Sequence, residues 1–235
     1  MSVPEWEAPR RLVVGVTGAS GAVYARRLVG VLRASGVEVH LVVTDAARRV
    51  FREELGWDGL DLTDWVERTW VWPTGEGGVP AAADGKRLGG GRPVEGGDAS
   101  PAAVVLYDNE DVGAPVASGS FRTWGMVVVP CSMGTLGRLA AGSGEKLLER
   151  AADVALKEGR PLVLVPRETP LTPIHLENML RLARAGAAIL PAMPAFYHRP
   201  RTVDDLVNFV VGKILDRLYL PAPDIYARWG RNEGE

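Results

Sequence analysis

The sequence predicts an α/β fold in which a doubly wound parallel sheet is covered by helices on both faces. Three observations predict it. Short β-branched runs alternate with amphipathic stretches along the chain. Small residues, glycines and hydroxyls, close the strand-like runs where parallel sheets bind ligands. The composition, 46% hydrophobic and 24% charged in 235 residues, suits one ordinary globular domain.

Arg11–Val16 (RLVVGV) reads as a buried strand, ending in Thr17-Gly18-Ala19-Ser20-Gly21. Ala25, Leu28, Val29 and Leu32 follow at helical spacing, and Gly36 stops that helix. Val37–Val43 is the next strand, and Thr44 sits where it would cap a helix over Asp45–Leu55. The order strand–helix–strand–helix implies right-handed parallel crossovers. After Gly56 the periodicity is lost: residues 74–98 hold nine of the 28 glycines, as in a surface loop. An insertion of about 57–103 is therefore expected within the single domain, 1–235. Trp57, Trp65, Trp70 and Trp72 crowd its start. They read as packing residues that fasten this lobe to the core or a neighbouring subunit, in preference to a cofactor box.

Regular structure resumes with the strand Gly125–Pro130 (GMVVVP), followed at its carboxyl end by Cys131–Thr135. Glu145–Lys157 reads as a helix closed by Gly159, and Pro161–Val165 as a strand. Thr172-Pro173 opens a helix ending at Gly186, and Ala187–Leu190 is a further strand. The last helix starts at Thr202, with Asp204 and Asp205 at its positive end. Val203, Leu206, Val207, Val210, Ile214 and Leu218 form its expected apolar face.

Four loops are candidates for chemistry at the strand ends. Gly18-Ala19-Ser20-Gly21 offers close backbone approach, free N–H groups and a hydroxyl, suited to a phosphate or a flavin edge; by itself it could equally be a tight turn. It is neither GxGxxG nor a Walker A loop. Ala117-Ser118-Gly119-Ser120 and Ser132-Met133-Gly134-Thr135 flank the GMVVVP strand and repeat the hydroxyl–glycine composition. Three such clusters point to a phosphorylated, planar ligand. Arg167-Glu168-Thr169-Pro170 places charge directly after a buried strand, where charges avoid standing unless paired or working. Arg150 and Lys157, seven apart on one helix, could join Arg167, Tyr197 and Lys213 in a cationic pocket or could line a solvated face. Cys131 reads as a buried, inert thiol, since nothing in the sequence supplies a paired base.

Several classes are excluded. Charge nearly balances at −2, with 27 basic and 29 acidic residues, so the sequence has no polybasic signature of nucleic-acid binding. One cysteine allows neither an internal disulfide nor a multi-cysteine zinc site. His40, His175 and His198 have no metal-ligand spacing. No run reaches the ~20 apolar residues of a membrane span, and the amino terminus has no signal-peptide pattern. A soluble, cytoplasmic protein in a reducing compartment is expected. There is no DDxxD, and Asp204-Asp205-Leu206-Val207-Asn208 looks like a helix start, so a magnesium–diphosphate site has no visible ligands. Any leaving phosphate would be stabilised by lysine and arginine.

Taken together, VVGVTGASGAVYARRL, HLVVTDAAR, ASGSFRTWGMVVVPCSMGTL, LLERAADVALKEGRPLVLVPRETPLTPIHLENM, GAAILPAMPAFYHRP, DLVNFVVGKILD and ARWG resemble the flavin prenyltransferases of the UbiX type. The likeness spans 11–55 and 108–229. It implies a flavodoxin-like, Rossmann-like domain that assembles into a homododecamer, with FMN and the prenyl donor bound where subunits meet. The implied reaction joins a dimethylallyl group from dimethylallyl monophosphate to N5 and C6 of reduced FMN. The product, prenylated FMN, would serve a partner decarboxylase of the UbiD type, as in ubiquinone biosynthesis, and no metal takes part.

The resemblance also assigns residues. Gly18, Ala19 and Ser20 match the first flavin loop, Thr44 a position more often serine, Ser132, Met133, Gly134 and Thr135 the second flavin loop, and Arg167 a flavin-contacting arginine. Ser118, in its own small cluster, is a further candidate for the flavin. Tyr197 and Lys213 match the prenyl-phosphate pair, with Arg150 and Lys157 as nearby cations and Trp229 as an aromatic cover for the allylic group. Ser20, Glu54 and Glu168 match residues that assist proton handling and ring closure. Two rivals have different signatures. An FMN-dependent cysteine decarboxylase would carry a histidine in an early helix and a Pro-x-Met-Asn motif, whereas this chain has no histidine before His40 and reads Pro194-Ala195-Phe196-Tyr197-His198. A non-catalytic flavin carrier would not need Lys157, Glu168, Tyr197 and Lys213 together.

Overall fold

The computed structural model describes residues 10–57, 65, 102–220, 224–226 and 228. Six parallel strands form one sheet, β1 (Arg11–Val16), β2 (Glu38–Val43), β3 (Val104–Tyr107), β4 (Gly125–Cys131), β5 (Leu162–Pro166) and β6 (Ala188–Ile189), in the order β3-β2-β1-β4-β5-β6. The helices are α1 (Ala22–Ala34), α2 (Asp45–Leu55), α3 (Met133–Ala141), α4 (Leu147–Lys157), α5 (Pro173–Arg184) and α6 (Val203–Arg217). The order reverses between β1 and β4, so the crevice at their carboxyl ends is the switch point of the sheet.

Both faces of the sheet are buried, which is why the strands read as continuous apolar runs. Leu12, Val14 and Val16 point into a core shared with Leu28, Val29 and Leu32 of α1 and Val210, Val211 and Ile214 of α6. Val13, Met126 and Val128 point the other way, against Leu136 of α3, Leu148 and Ala152 of α4, and Leu182 of α5. Trp57 and Trp65 pack on Phe51 of α2, with ring centroids 4.8 and 5.2 Å from it and 5.1 Å from each other. These two tryptophans are packing residues, as expected. Trp70, Trp72 and most of the expected insertion lie outside the described residues.

Two elements depart from the expectation. Val104–Tyr107 is an edge strand, half-buried and only four residues long. Ser132–Thr135 is not a free loop but the opening of α3: the Ser132 hydroxyl accepts from the Thr135 N–H at 3.3 Å. Val203 also leaves the apolar face assigned to it, being 41% exposed in the first turn of α6, while Val207, Val210, Ile214 and Leu218 are buried.

Candidate active site

The carboxyl ends of β1, β2, β4 and β5 bring together Ser20, Thr44, Ser132 and Arg167, each in the loop that follows its strand. Thr17, buried at 1% exposure, joins two of these loops: its hydroxyl donates to the Pro130 carbonyl at 2.8 Å and accepts from the Ser132 N–H at 2.7 Å. Arg167 joins the third, its Nε donating to the Ser20 carbonyl at 3.1 Å. Gly18 is the close-approach glycine, since a Cβ there would lie 2.5 Å from Cβ of Ala46 in α2.

At the end of the first loop the Gly21 N–H is not free, contrary to expectation. Gly21, at φ 116°, and Ala22 open α1, and Glu54 caps them. Its carboxylate accepts from Gly21 N at 3.1 and 3.0 Å and from Ala22 N at 2.8 Å. A helix start attracts an anion through its unpaired N–H groups and its dipole, and here the chain supplies that anion itself. Glu54 thereby holds the backbone directly after Ser20. Tyr24 lies in the same neighbourhood: burial raises its pKa, with Arg167 opposing and Glu54 adding to the shift. Thr44 caps α2, accepting from Ala47 N at 3.3 Å, so its own O–H can still donate.

Beyond Ser132 the relay continues inward. Thr135 Oγ1 accepts from the Ser132 hydroxyl at 3.1 Å and from Arg138 at 3.0 Å, and Arg138 Nε donates to Glu149 at 2.8 Å. Glu149 is only 2% exposed. Cys131 is fully buried, and burial pushes its thiol up to about 12. Burial is as expected, and it is the environment of an inert thiol.

The remaining candidates divide between the two edges of the sheet. Ser118 is not at the carboxyl edge. Its loop precedes β4, and Arg160, just before β5, donates to the Phe121 carbonyl at 2.8 Å and also to that of Gly119. Lys157 ends α4 at this same amino edge, its Nζ 3.9 Å from Glu158. Arg167 stands at the other end of β5, so within one chain Lys157 and Arg167 do not share a pocket. Arg150 is exposed near the start of α4, with Nε 3.4 Å from the Gly144 carbonyl. Glu168 is exposed beside Arg167, and an oxygen of its carboxylate accepts from Thr169 N at 3.1 Å. Tyr197 packs edge-to-face on Phe209 of α6 at 5.9 Å, and Lys213 lies one turn further along that helix. Trp229 lies outside the described residues. Sequence reasoning missed Thr17, Arg138 and Glu149; only Thr17 left a signal, a hydroxyl directly at the end of a buried strand.

A six-stranded parallel sheet with hydroxyl-bearing loops at its switch point defines the class, and a family model described as Flavoprotein matches residues 2–215. The curated relatives narrow this. The flavin prenyltransferase UbiX of Alkalihalophilus pseudofirmus is 47% identical over 93% of this chain and 96% of its own. That of Escherichia coli is 42% identical over 94% and 98%. The chain belongs to the UbiX flavin prenyltransferase family. Among solved structures, AnUbiX (PadA1) in complex with FMN and dimethylallyl pyrophosphate superposes with a TM-score of 0.76 at 36% identity, over 96% of this chain and 100% of that one. A dodecameric FMN-dependent UbiX-like decarboxylase from Escherichia coli O157:H7 gives 0.74 at 40% identity, over 94% and 100%. A PPC decarboxylase, at 0.54 and 17% identity, shares the fold alone. Among the described residues no cluster of His, Cys, Asp and Glu could hold a metal, and no helix is long and apolar enough to cross a membrane.

Proposed function

We propose that this protein transfers a dimethylallyl group from dimethylallyl monophosphate to N5 and C6 of reduced FMN, releasing phosphate and giving prenylated FMN. The carrying observation is the tie between Arg167 and the Ser20 carbonyl, which holds the β5 end against the first flavin loop and beside Glu54. The residues fit FMN: Ser20, Thr44, Ser132 and Arg167 supply hydroxyl and cationic donors around one crevice. The start of α1 is already held by Glu54, so the FMN phosphate belongs with Thr44 and the Ser132 loop.

In this reading Thr17, Ser132 and Arg167 keep the loops fixed, so that orientation supplies much of the rate. Tyr197, Lys213, Arg150 and Lys157 hold the donor phosphate and stabilise its charge as it leaves, and Trp229 covers the allylic group. Glu54 holds the backbone around Ser20, and Glu168 or the released phosphate takes the C6 proton. Since Lys157 and Ser118 stand at the amino edge and Arg167 at the carboxyl edge, a complete site needs a second copy of the chain. A homododecamer supplies it. Ile174, Met193, Phe196 and Tyr219, each at least 65% exposed, support burial between copies. The protein acts in the cytoplasm, and its product serves a decarboxylase of the UbiD type.

The test is anaerobic incubation with reduced FMN and donor, followed by addition of the extract to a cofactor-free UbiD-type decarboxylase. Activation with the monophosphate supports the reading. Activation with the diphosphate alone changes the donor, and no activation with either overturns the reading.

A further inference from the structure

Beyond Lys213, α6 carries a polar cluster that the mechanism leaves unused. Asp216, one turn on, faces Tyr226 and Arg228. Arg228 donates to its Oδ1 at 2.7 Å and to its Oδ2 at 3.1 Å, and the Tyr226 hydroxyl donates to Oδ2 at 2.6 Å. The Lys213 ammonium stands 3.9 Å from that same Oδ2. The Tyr226 ring lies directly on the helix at Gly212, where a Cβ would come within 2.1 Å of it. The same ring meets Phe209 edge-to-face at 5.3 Å, and Phe209 also meets Tyr197.

One carboxylate thus has three suitors, and only one of them is assigned to the donor phosphate. We propose that Asp216 is a positioning residue whose occupation by Arg228 and Tyr226 leaves Lys213 available to the phosphate of the prenyl donor. This rests on the reading of Lys213 as a donor contact. Arg228 makes the planar, two-point pair that a carboxylate favours, whereas Lys213 is a point charge at the limit of ion-pair distance. With Arg228 seated between Asp216 and Asp224, to which its Nε donates at 2.6 Å, both oxygens of Asp216 are engaged and the Lys213 ammonium, at 3.9 Å, is left to an incoming anion. With Arg228 removed, Lys213 becomes the cation nearest to Asp216 and pairs with it. Donor affinity is therefore coupled to the seating of Tyr226 and Arg228, which stand just before Trp229 in the sequence. Although burial pushes the Asp216 carboxyl up, hydrogen bonds from Arg228 and Tyr226 hold it below the usual range, consistent with a carboxylate already satisfied.

The experiment compares Arg228→Gln with the double variant Arg228→Gln/Asp216→Asn, using dimethylallyl monophosphate and reduced FMN. Arg228→Gln is expected to raise the donor KM about fivefold, the size of a half-exposed ion pair, with FMN affinity unchanged. Adding Asp216→Asn frees Lys213 and recovers most of that loss. Tyr226→Phe, which keeps the ring on Gly212, shifts the donor KM in the same direction by less. A purely structural cluster gives the opposite pattern, the double variant being as impaired as Arg228→Gln or worse, and that result overturns the inference. The rate at which an acylating reagent labels Lys213 reads the pairing without turnover: slower in Arg228→Gln, restored in the double variant. That labelling pattern in a wild type that prenylates no flavin would sink the functional reading and leave the pairing standing. Its absence in an active wild type overturns the pairing.

Discussion

Replacing Thr17 by valine removes one hydroxyl and nearly nothing else. That hydroxyl is the buried joint between the β1 and β4 loops, donating to Pro130 O at 2.8 Å and accepting from Ser132 N at 2.7 Å. The Pro130 carbonyl retains the Thr17 N–H at 3.3 Å, so its loss is partial, while the Ser132 N–H loses its acceptor. An unsatisfied donor of this kind costs about 1–3 kcal/mol, and we take about 2 kcal/mol. For a chain of this size each kcal/mol moves Tm by about 2–4 °C, so Thr17→Val should melt about 4–8 °C below wild type. Thr17→Ser keeps both bonds and gives up one buried methyl, worth about 0.8 kcal/mol, and should lie between the two. Thermal melting of the FMN-free protein reads the stability, and fluorescence titration of FMN reads the loop: Thr17→Val binds FMN more weakly and Thr17→Ser nearly normally. A Thr17→Val protein that melts with wild type, or serine and valine variants that behave alike, would refute the joint.

Three further outcomes are expected. Glu168→Gln, which leaves Arg167 on Ser20, should bind FMN normally and lose prenylation; wild-type turnover would remove Glu168 from the mechanism. Lys213→Ala should raise the donor KM without altering FMN affinity, and an unchanged KM would show that Lys213 does not hold the phosphate. Cys131 should resist alkylation at pH 8 in the folded protein and react fully once unfolded, because burial pushes its thiol up to about 12. The same shift sets a pH dependence. Between the ordinary value of 9.0 and about 12, the folded chain keeps a proton that the unfolded chain releases. Stability from this group is therefore complete below pH 9 and falls as pH rises through that window, which urea unfolding at pH 8 and pH 10 would measure.

The strand–helix alternation was legible because both faces of the sheet are buried, and Arg11–Val16 and Leu162–Pro166 show it as unbroken apolar runs. Val104–Tyr107 was missed because an edge strand of four residues, following a glycine-rich stretch, has too little pattern to detect. The start of α3 was misread because Gly134 and Gly137 dilute its helical signal, although Ser132 is an ordinary cap. Ser118 was placed at the wrong edge because composition carries no direction: a hydroxyl–glycine cluster before a strand looks like one after it. The capping of α1 by Glu54 joins residues 33 apart, and no local pattern reports it. Arg167 and Glu168 showed as charges directly after a buried strand, and resemblance to a family gave them, with Tyr197 and Lys213, their roles. Their spacing alone could not say which of them one chain brings together.

The most direct test of the central claim is the mass of the flavin recovered after anaerobic incubation of the purified protein with reduced FMN and dimethylallyl monophosphate. The account predicts FMN heavier by one five-carbon isoprene unit, formed in the absence of added metal. Unmodified FMN recovered after incubation with the monophosphate and then with the diphosphate would contradict it, and would leave a flavoprotein without prenyl transfer.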